Sequence, residues 1–474
     1  MPPIQIHKFS GSSLESAQRI KLAAELVKQA QARARVIVVA TAMAGVTDAL
    51  DAAANKAAQG DRVTGLDQLK VILDKHQAEL SALGGSETGA TRSEIEQISK
   101  ELTEMIGSVA LLAQLTQRTR DRILAAGEKL SARLLAVALD NTGLIAYVKD
   151  SDTFLETDDN FGEASLLRSL ADRKIAVELL PILERNAVPV VSGFCGRAPD
   201  GATTTLGRGG ADLTATSIAV AIEADQVTLW TDLDGVYSAD PKVVPDARVI
   251  DHLNYREAAE MSYYGAKLLH PRSMIPVAPL GIPVYVRNSL EPGKSGTTVD
   301  GRFTPGEHPV KAISAIREHC LVSVEGKGMA GVPGIAARVF GRLAAKRISV
   351  TMISQSSSES TICLAVPARF IMATEAALKK EFQPDMSKGD IEEVVTRRNV
   401  GLVAAVGLGM ANMPGVAGRV FTALGNNKIS ILAIAQGSSE LNISMAIDEC
   451  QIDEALQALH AEFKLHLSGS KAAE

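Results

Sequence analysis

The sequence predicts an α/β protein: a mainly parallel sheet covered by helices, followed by two copies of a small α+β unit. Two observations carry this. Over residues 1–300, short β-branched runs alternate with longer runs whose apolar residues recur at helical spacing. From about residue 310 the chain repeats itself, with "GMAGVPGIAARVFGRLAAKRISVTMISQSSSESTI" at Gly328 echoed by "GMANMPGVAGRVFTALGNNKISILAIAQGSSELNI" at Gly409.

Val36–Val39, Val188–Val191, Val227–Trp230 and Pro283–Val286 read as buried strands. Ala17, Ile20, Ala24 and Val27 mark a helix between the first two. Residues 60–120 hold no strand pattern and read as a helical insertion on the sheet, with "GGSETGATRSEIEQISKEL" a turn leading into a helix. The repeat keeps an offset of 81 residues without a gap, matching Gly334 to Gly415, Arg338 to Arg419, Phe340 to Phe421, Ile348 to Ile429, Gln355 to Gln436 and Glu359 to Glu440. Each copy reads strand, Pro-Gly turn, amphipathic helix, strand, polar loop, strand. The expected division is a large domain over 1–300, small units over 310–390 and 391–467, and a disordered tail over 468–474. One small unit inserted within the other would blur the boundary near 390.

With 474 residues, 46% apolar and 22% charged, the composition is that of a multidomain globular protein. A net charge of −6 argues against a general nucleic-acid footprint. The four cysteines, Cys195, Cys320, Cys363 and Cys450, form no Cys-x-x-Cys pair, which disfavours a zinc knuckle and suits a reducing compartment. "MPPIQIHKF" has no signal-peptide pattern, and "VIVVATAMAGV" is too short to span a bilayer, so a soluble cytoplasmic enzyme is expected.

In such sheets ligands bind where strands end and helices begin, so those loops carry the functional reading. "IQIHKFSGSSLES" places Lys8 at a strand end before Ser10, Gly11 and Ser12, with Ser12 and Glu15 at capping-box spacing for a helix starting near Ser13 and Gly11 allowing a sharp turn. The stretch suits a phosphate cradle, since helix N-termini offer free N–H groups; it suits equally a plain strand-turn-helix with a solvated lysine. "TTTLGRGGADLTATSIAVAIEA" sets Arg208 among glycines before a helix that begins near Asp212. An arginine there can grip a carboxylate or phosphate with two parallel bonds. Asp212 could hold a metal, orient a lysine or simply complement the helix terminus.

"LWTDLDGVYSADPK" ends a strand at Thr231 and Asp232, with Tyr237 placed for a base and Lys242 for phosphate, or else forms a turn with an exposed acid pair. In "YYGAKLLHPRS", Lys267 and His270 read as residues of a helix that ends at Pro271. "AGEKLSARLLAVAL" carries Glu128 on a helix, where a lone glutamate is usually solvated. Gly326-x-Gly328-x-x-Gly331 matches a dinucleotide fingerprint. The second copy has Asn412 at the third glycine and both copies have a Pro-Gly turn, so these glycines are read as turn residues.

Together, "KFSGSS", "TAMAGVTD", "GEKLS", "TTTLGRGGAD", "WTDLDGVYSADPK" and "GAKLLHP" resemble, in order, the motifs of the aspartokinases, and the repeat resembles that family's paired ACT regulatory domains. "QSSSE" and "QGSSE" are most similar to the aspartokinase half of bifunctional aspartokinase–homoserine dehydrogenases. The resemblance implies an amino-acid-kinase fold over 1–300 and transfer of the γ-phosphoryl group of ATP, with Mg²⁺, to the side-chain carboxylate of L-aspartate. It implies that Lys8, with Ser10, Gly11 and Ser12, faces phosphate, and that Thr47, Glu128 and Arg208 bind aspartate, Glu128 taking the ammonium. Asp212 would orient the catalytic lysine or the reacting groups. Thr231, Asp232, Tyr237, Lys242 and Lys267 would line the ATP site. Gln355 and Gln436 would contact an amino-acid effector, threonine in preference to lysine, and the ACT units would join copies of the chain; neither nucleic acid nor membrane is an expected partner.

Several positions depart from the family pattern. Ser10 stands for a glycine, Thr41 for a serine, Asp48 for an asparagine, Lys129 and Lys242 for arginines, and Ala211 for a serine. Ser10 and Ala211 bear most directly on efficiency, and keep open a weakly active amino-acid-sensing relative. A kinase for another amino-acid carboxylate is the third reading.

Overall fold

The computed structural model describes residues 2–85, 88–263, 270–302, 309–437 and 440–467. Lys267 and the 468–474 tail lie outside them. The chain divides into two compact units, one formed by Met1–Val236, Asp251–Ala259 and Leu268–Arg302, the other by Tyr237–Ile250, Glu260–Lys267 and Phe303–Glu474. Of the stretch expected as one domain over 1–300, two passages, Tyr237–Ile250 and Glu260–Lys267, group with the second unit.

The first unit is built on an eight-stranded sheet. Its strands are β1 (Ile4–Phe9), β2 (Arg35–Ala40), β3 (Ala146–Asp150), β4 (Val188–Ser192), β7 (Gln226–Thr231), β8 (His252–Asn254), β9 (Val284–Asn288) and β10 (Thr297–Asp300). Between β4 and β7 a two-stranded ribbon, β5 (Cys195–Arg197) and β6 (Thr203–Thr205), stands apart. The order is β3-β4-β2-β1-β7-β9-β10-β8, with β10 antiparallel to β9 and every other pairing parallel. All four sequence-predicted strands are present within a residue or two of their expected ends. β2 and β4 are buried almost throughout, as strands covered on both faces must be.

Helices α1 (Ala17–Gln31), α2 (Val46–Ala58), α3 (Arg62–Leu83), α4 (Thr88–Leu112), α5 (Gln117–Asn141), α6 (Arg168–Glu184) and α7 (Gly210–Ala221) lie among these strands in the chain, followed by α8 (Tyr255–Tyr263) and α9 (Pro271–Val277). α1 buries Ile20, Ala23, Ala24 and Val27 at the expected spacing. α3 and α4 occupy the region read as a helical insertion, and their Leu69, Ile72, Leu80, Leu102 and Ile106 share one core with Leu50 of α2 and Leu130 and Leu134 of α5. The capping-box expectation is corrected. Ser12–Leu14 forms only a 3₁₀ turn, and α1 is capped by Ser16, whose hydroxyl accepts from the Arg19 amide, while Glu15 pairs with Arg19. The run "SGSSLES" offers several caps, and the one that lets Leu14 and Ala17 both reach the core is used.

The second unit carries a six-stranded antiparallel sheet. It comprises β11 (Ala312–Glu325), β12 (Met352–Gln355), β13 (Thr361–Pro367), β14 (Glu393–Val406), β15 (Ile431–Ala435) and β16 (Asn442–Asp448) in the order β12-β13-β11-β14-β16-β15. Helices α10 (Ile335–Ala345), α11 (Ile371–Lys388), α12 (Val416–Asn426) and α13 (Ile452–Glu462) complete it. The repeat is visible atom by atom. Arg338 pairs with Glu381 and lies 4.5 Å over the Phe382 ring; Arg419 pairs with Glu462 and lies 4.5 Å over Phe463. Glu359 accepts the Gly331 amide as Glu440 accepts the Asn412 amide.

The two repeats interleave across residue 390. β11 and β14 pair along their length, and Val310 and Ile313 pack in the core of the second repeat while Val394 packs in that of the first. The rejected dinucleotide pattern finds its physical reason here. A Cβ on Gly326 would lie 2.4 Å from Asp390 O and one on Gly407 2.3 Å from Pro309 O, so each copy's glycine turn is pressed against the strand arriving from the other side of the repeat.

Candidate active site

Because β1, β2, β4, β7 and β9 run parallel, the loops after them emerge at one edge of the sheet. The chain winds outward from β1 in both directions, to β2 on one side and β7 on the other, which makes the end of β1 a topological switch point. Lys8 stands there, and its Nζ lies 2.7 Å from Asp212 Oδ1 in the first turn of α7. Both side chains are about nine-tenths buried, at 12% and 11% exposure. Burial makes this pair a directed one, since a lysine stem packed on both sides has few other places to hold its charge.

After Phe9 the loop closes on itself and on its neighbours. The Ser10 amide donates to Trp230 O at 3.0 Å, and the Ser10 hydroxyl lies 2.9 Å from that of Ser12 and 3.1 Å from that of Ser13. Ser12 donates to Asp232 Oδ1 at 2.9 Å, Thr231 donates to the same oxygen at 3.2 Å, and Ser13 meets Ser289 at 2.8 Å. Ser10, Gly11, Ser12, Thr231 and Asp232, chosen from two distant stretches of sequence, are thus gathered into one hydroxyl-rich wall. Gly11 is needed for a reason other than a sharp turn. Its φ of −59° is helical, but a Cβ there would meet Ala42 O at 2.7 Å.

Opposite that approach, Gly45 in the left-handed region (φ 77°) opens α2, whose first turn holds half-buried Thr47. Glu128 is buried on α5 rather than solvated, and its Oε2 has no hydrogen-bond partner among the described residues. Burial pushes its carboxyl up to about 8, against the Ala42 amide, which acts in the other direction. A buried carboxylate beside a backbone loop is suited to receive a cationic group.

Arg208 is exposed on the loop between β6 and α7. The loop turns through Gly207 (φ 75°) and Gly209 (φ 72°), and a Cβ on Gly209 would strike His270. His270 is the N-cap of α9, with Pro271 the first residue of that helix; the expectation that Pro271 ends a helix is reversed, because proline lacks only an N–H that a first turn leaves unpaired anyway. Burial, then the Arg272 charge, lowers the His270 pKa; the Asp212 charge opposes this and the Arg208 charge adds to it.

Tyr237 and Lys242 belong to the second unit, where Tyr237 bridges to Val249 and the Lys242 amide donates to Asp240. Gln355 ends β12 and Gln436 follows β15, both exposed at equivalent places in the repeat. Lys267 is outside the described residues. Two residues that shape the Arg208 loop escaped the sequence reading: Asp121, seven residues before Glu128 on one helix face, and Arg272, beside the motif histidine.

No group of three or more His, Cys, Asp or Glu side chains among the described residues forms a cation cage. No helix among them is long and apolar enough to cross a membrane.

Comparison with known proteins agrees with this architecture. Residues 3–288 match the amino acid kinase family, and residues 322–382 and 403–463 each match the ACT domain. The chain is 34% identical to bifunctional aspartokinase/homoserine dehydrogenase 2 of Arabidopsis thaliana over 97% of its own length and 50% of that protein. It spans about half the length of the first curated relatives it matches. It is 30% identical to the chloroplastic aspartokinase 2 of the same plant, covering 97% of this chain and 84% of that one. Among solved structures it superposes on E. coli aspartokinase III in complex with aspartate and ADP (R-state) with a TM-score of 0.86 and 30% identity, covering 97% and 100% of the two chains. For the lysine and aspartate complex of that enzyme (T-state) the TM-score is 0.74, over 97% and 99%. The chain therefore belongs to the amino acid kinase family and, within it, to the aspartokinases that carry paired ACT domains.

Proposed function

We propose that the protein is an aspartate kinase, transferring the γ-phosphoryl group of ATP to the β-carboxylate of L-aspartate to give 4-phospho-L-aspartate, at the head of lysine and threonine formation. The observation that carries this reading is the convergence at one sheet edge of a lysine held by a buried acid, a hydroxyl-rich loop wall, a glycine-flanked arginine and a buried glutamate. A carboxylate nucleophile is already ionised near neutral pH, so no general base is required. The obstacle is bringing one anion to another, which positive charge and positioning overcome.

In this reading Lys8, oriented by Asp212, faces the transferring phosphate with the amides around Gly11. Arg208 grips a carboxylate of aspartate, Glu128 takes its ammonium and Thr47 hydrogen-bonds beside them. Ser10, Ser12, Thr231 and Asp232 line the nucleotide phosphates. Tyr237, Lys242 and Lys267 rest on their motifs alone. The residues present suit Mg²⁺ that arrives on the phosphates, since Asp232 and Asp212 supply single carboxylates rather than a cage; such an ion neutralises phosphate charge. Gln355 and Gln436 contact an amino-acid effector, threonine or lysine, and the ACT units join copies of the chain.

The test is ATP- and aspartate-dependent ADP release by the purified protein, with threonine and lysine titrated separately. Arg208→Ala is expected to raise the aspartate KM by at least about tenfold, as loss of a two-pronged charged contact should. A wild-type protein silent at saturating ATP and aspartate overturns the reading.

A further inference from the structure

The Arg208 loop is fastened from two sides, by Asp121 of α5 and Arg272 of α9. From below, Asp121 on α5 is 1% exposed, and a single oxygen, Oδ2, accepts the amides of Gly162 at 2.8 Å and Thr205 at 2.7 Å. Its other oxygen is buried without a partner among the described residues, so the polar capacity of the side chain is directed at those two amides. On the other side, Arg272 of α9 donates from one guanidinium nitrogen to Leu206 O and from the other to Ala164 O, each at 3.0 Å.

The four backbone groups belong to two segments that lie against each other. The Ala164 amide donates to Thr205 O at 2.9 Å, and a Cβ on Gly207 would lie 3.2 Å from Gly162 O. Residues 158–165 are therefore a brace along β6 and the turn that follows, with an anion clamping N–H groups on one side and a cation clamping carbonyls on the other. A ribbon of only three residues per strand, as β5 and β6 are, cannot fix the turn at Gly207–Gly209 by its own ladder.

We propose that Asp121 and Arg272 are positioning residues that hold the Arg208 loop in the geometry that receives the acceptor substrate. The loop bears Arg208 within three residues of Thr205 and two of Leu206, the two points the clamps hold. Displacing the turn moves the guanidinium, and a shift of about 1 Å at such a point can cost up to roughly a hundredfold in rate. The proposal that this substrate is aspartate rests on the function proposed above; the clamp itself does not.

Two measurements separate the two. Hydrogen–deuterium exchange is read on the full-length protein for wild type, Asp121→Leu, Asp121→Asn, Arg272→Gln and Arg272→Lys. Asp121→Leu and Arg272→Gln are expected to speed exchange in residues 158–165 and 203–210 by about tenfold or more, leaving β2 and β4 protected. Asp121→Asn, which keeps an oxygen acceptor, and Arg272→Lys, which can still reach one carbonyl, are expected to restore at least half of that protection. In the kinase assay, Asp121→Leu and Arg272→Gln should raise the aspartate KM about tenfold while the ATP KM stays within about twofold. Unchanged exchange in both segments overturns the clamp whatever the substrate. Faster exchange with unchanged aspartate and ATP KM overturns its role in substrate positioning. If Asp121→Leu does not fold, the half-exposed Arg272 variants decide. A wild type that exchanges as expected but ignores aspartate overturns only the aspartate assignment.

Discussion

Glu128 shows how far a single residue can stand from its usual state. A glutamate on a helix among small residues is ordinarily solvated, yet here Ala125–Glu128 of α5 are all buried and the carboxyl is raised from 4.5 to about 8 by burial. The sign of the consequence follows. The unfolded chain releases this proton near pH 4.5, whereas the folded chain keeps it until about pH 8, so stability falls as pH rises through that window and levels off above it. Glu128→Gln removes the dependence. The variant should gain on wild type at pH 8, by on the order of a few kcal/mol, and show no gain at pH 4.5. Thermal midpoints at the two pH values check this, and parallel pH profiles for the two proteins would count against it. That Lys8, Arg208 and Asp212 stand at strand ends and a helix start was legible because motif and loop chemistry coincide. The state of Glu128 was not, since burial depends on what α2 and the 41–45 loop cover. Asp121 and Arg272 were invisible for a related reason: their partners are backbone groups, which leave no trace in residue identity.

At the scale of elements, periodicity located the strands well because a doubly covered sheet admits mostly apolar side chains. Helix starts were less legible. "SGSSLES" holds four serines, and only the need to bury both Leu14 and Ala17 selects Ser16 as the cap. The repeated helices give an element-level prediction. In each copy an arginine joins the first helix to the second by ion pairing and by lying on a phenylalanine ring. Arg338 reaches two acids, Glu381 and Asp385, and both carboxyls lie below their ordinary values, with the Arg338 hydrogen bond the first cause for each. Arg338 is 35% exposed, so solvent screening limits the pair and most of the effect comes from the stacked stem. Arg338→Ala should cost about 1 kcal/mol, with faster amide exchange in α10 and α11. Equivalent exchange changes in α12 and α13 would show that the clamp is not local to its own repeat.

For the whole molecule, the offset of 81 residues suggested two units, in series or with one inserted in the other, because a sequence repeat records which residues are equivalent and not which strands pair. β11 and β14 are each long enough to serve both repeats. The first part of β11, Ala312–Ile316, pairs with Leu402–Val406, and its later part with Glu393–Arg397. Each repeat thus borrows an edge from the strand that opens the other. The second repeat is consequently assembled from three passages: its core contains Ala239 and Val244, then Val310 and Ile313, then residues from Val403 to Leu465. This makes a distinctive prediction for a residue that lies, by sequence, at the start of the first small unit. Ile313 is 1% exposed, so Ile313→Ala removes buried volume and should cost about 2–5 kcal/mol. The loss should fall on the partner that Ile313 packs with. Amide protection should drop along β16, α12 and α13, more than 80 residues away in the chain, while β12, β13 and α11 stay protected. In the reciprocal case Leu364→Ala, at a 0% exposed position of the first core, should loosen β12, β13 and α11 first. If Ile313→Ala instead loosened the first repeat while sparing the second, the interleaved arrangement would be wrong. If both variants opened both repeats equally, the shared β11–β14 seam would be coupling them into one cooperative block.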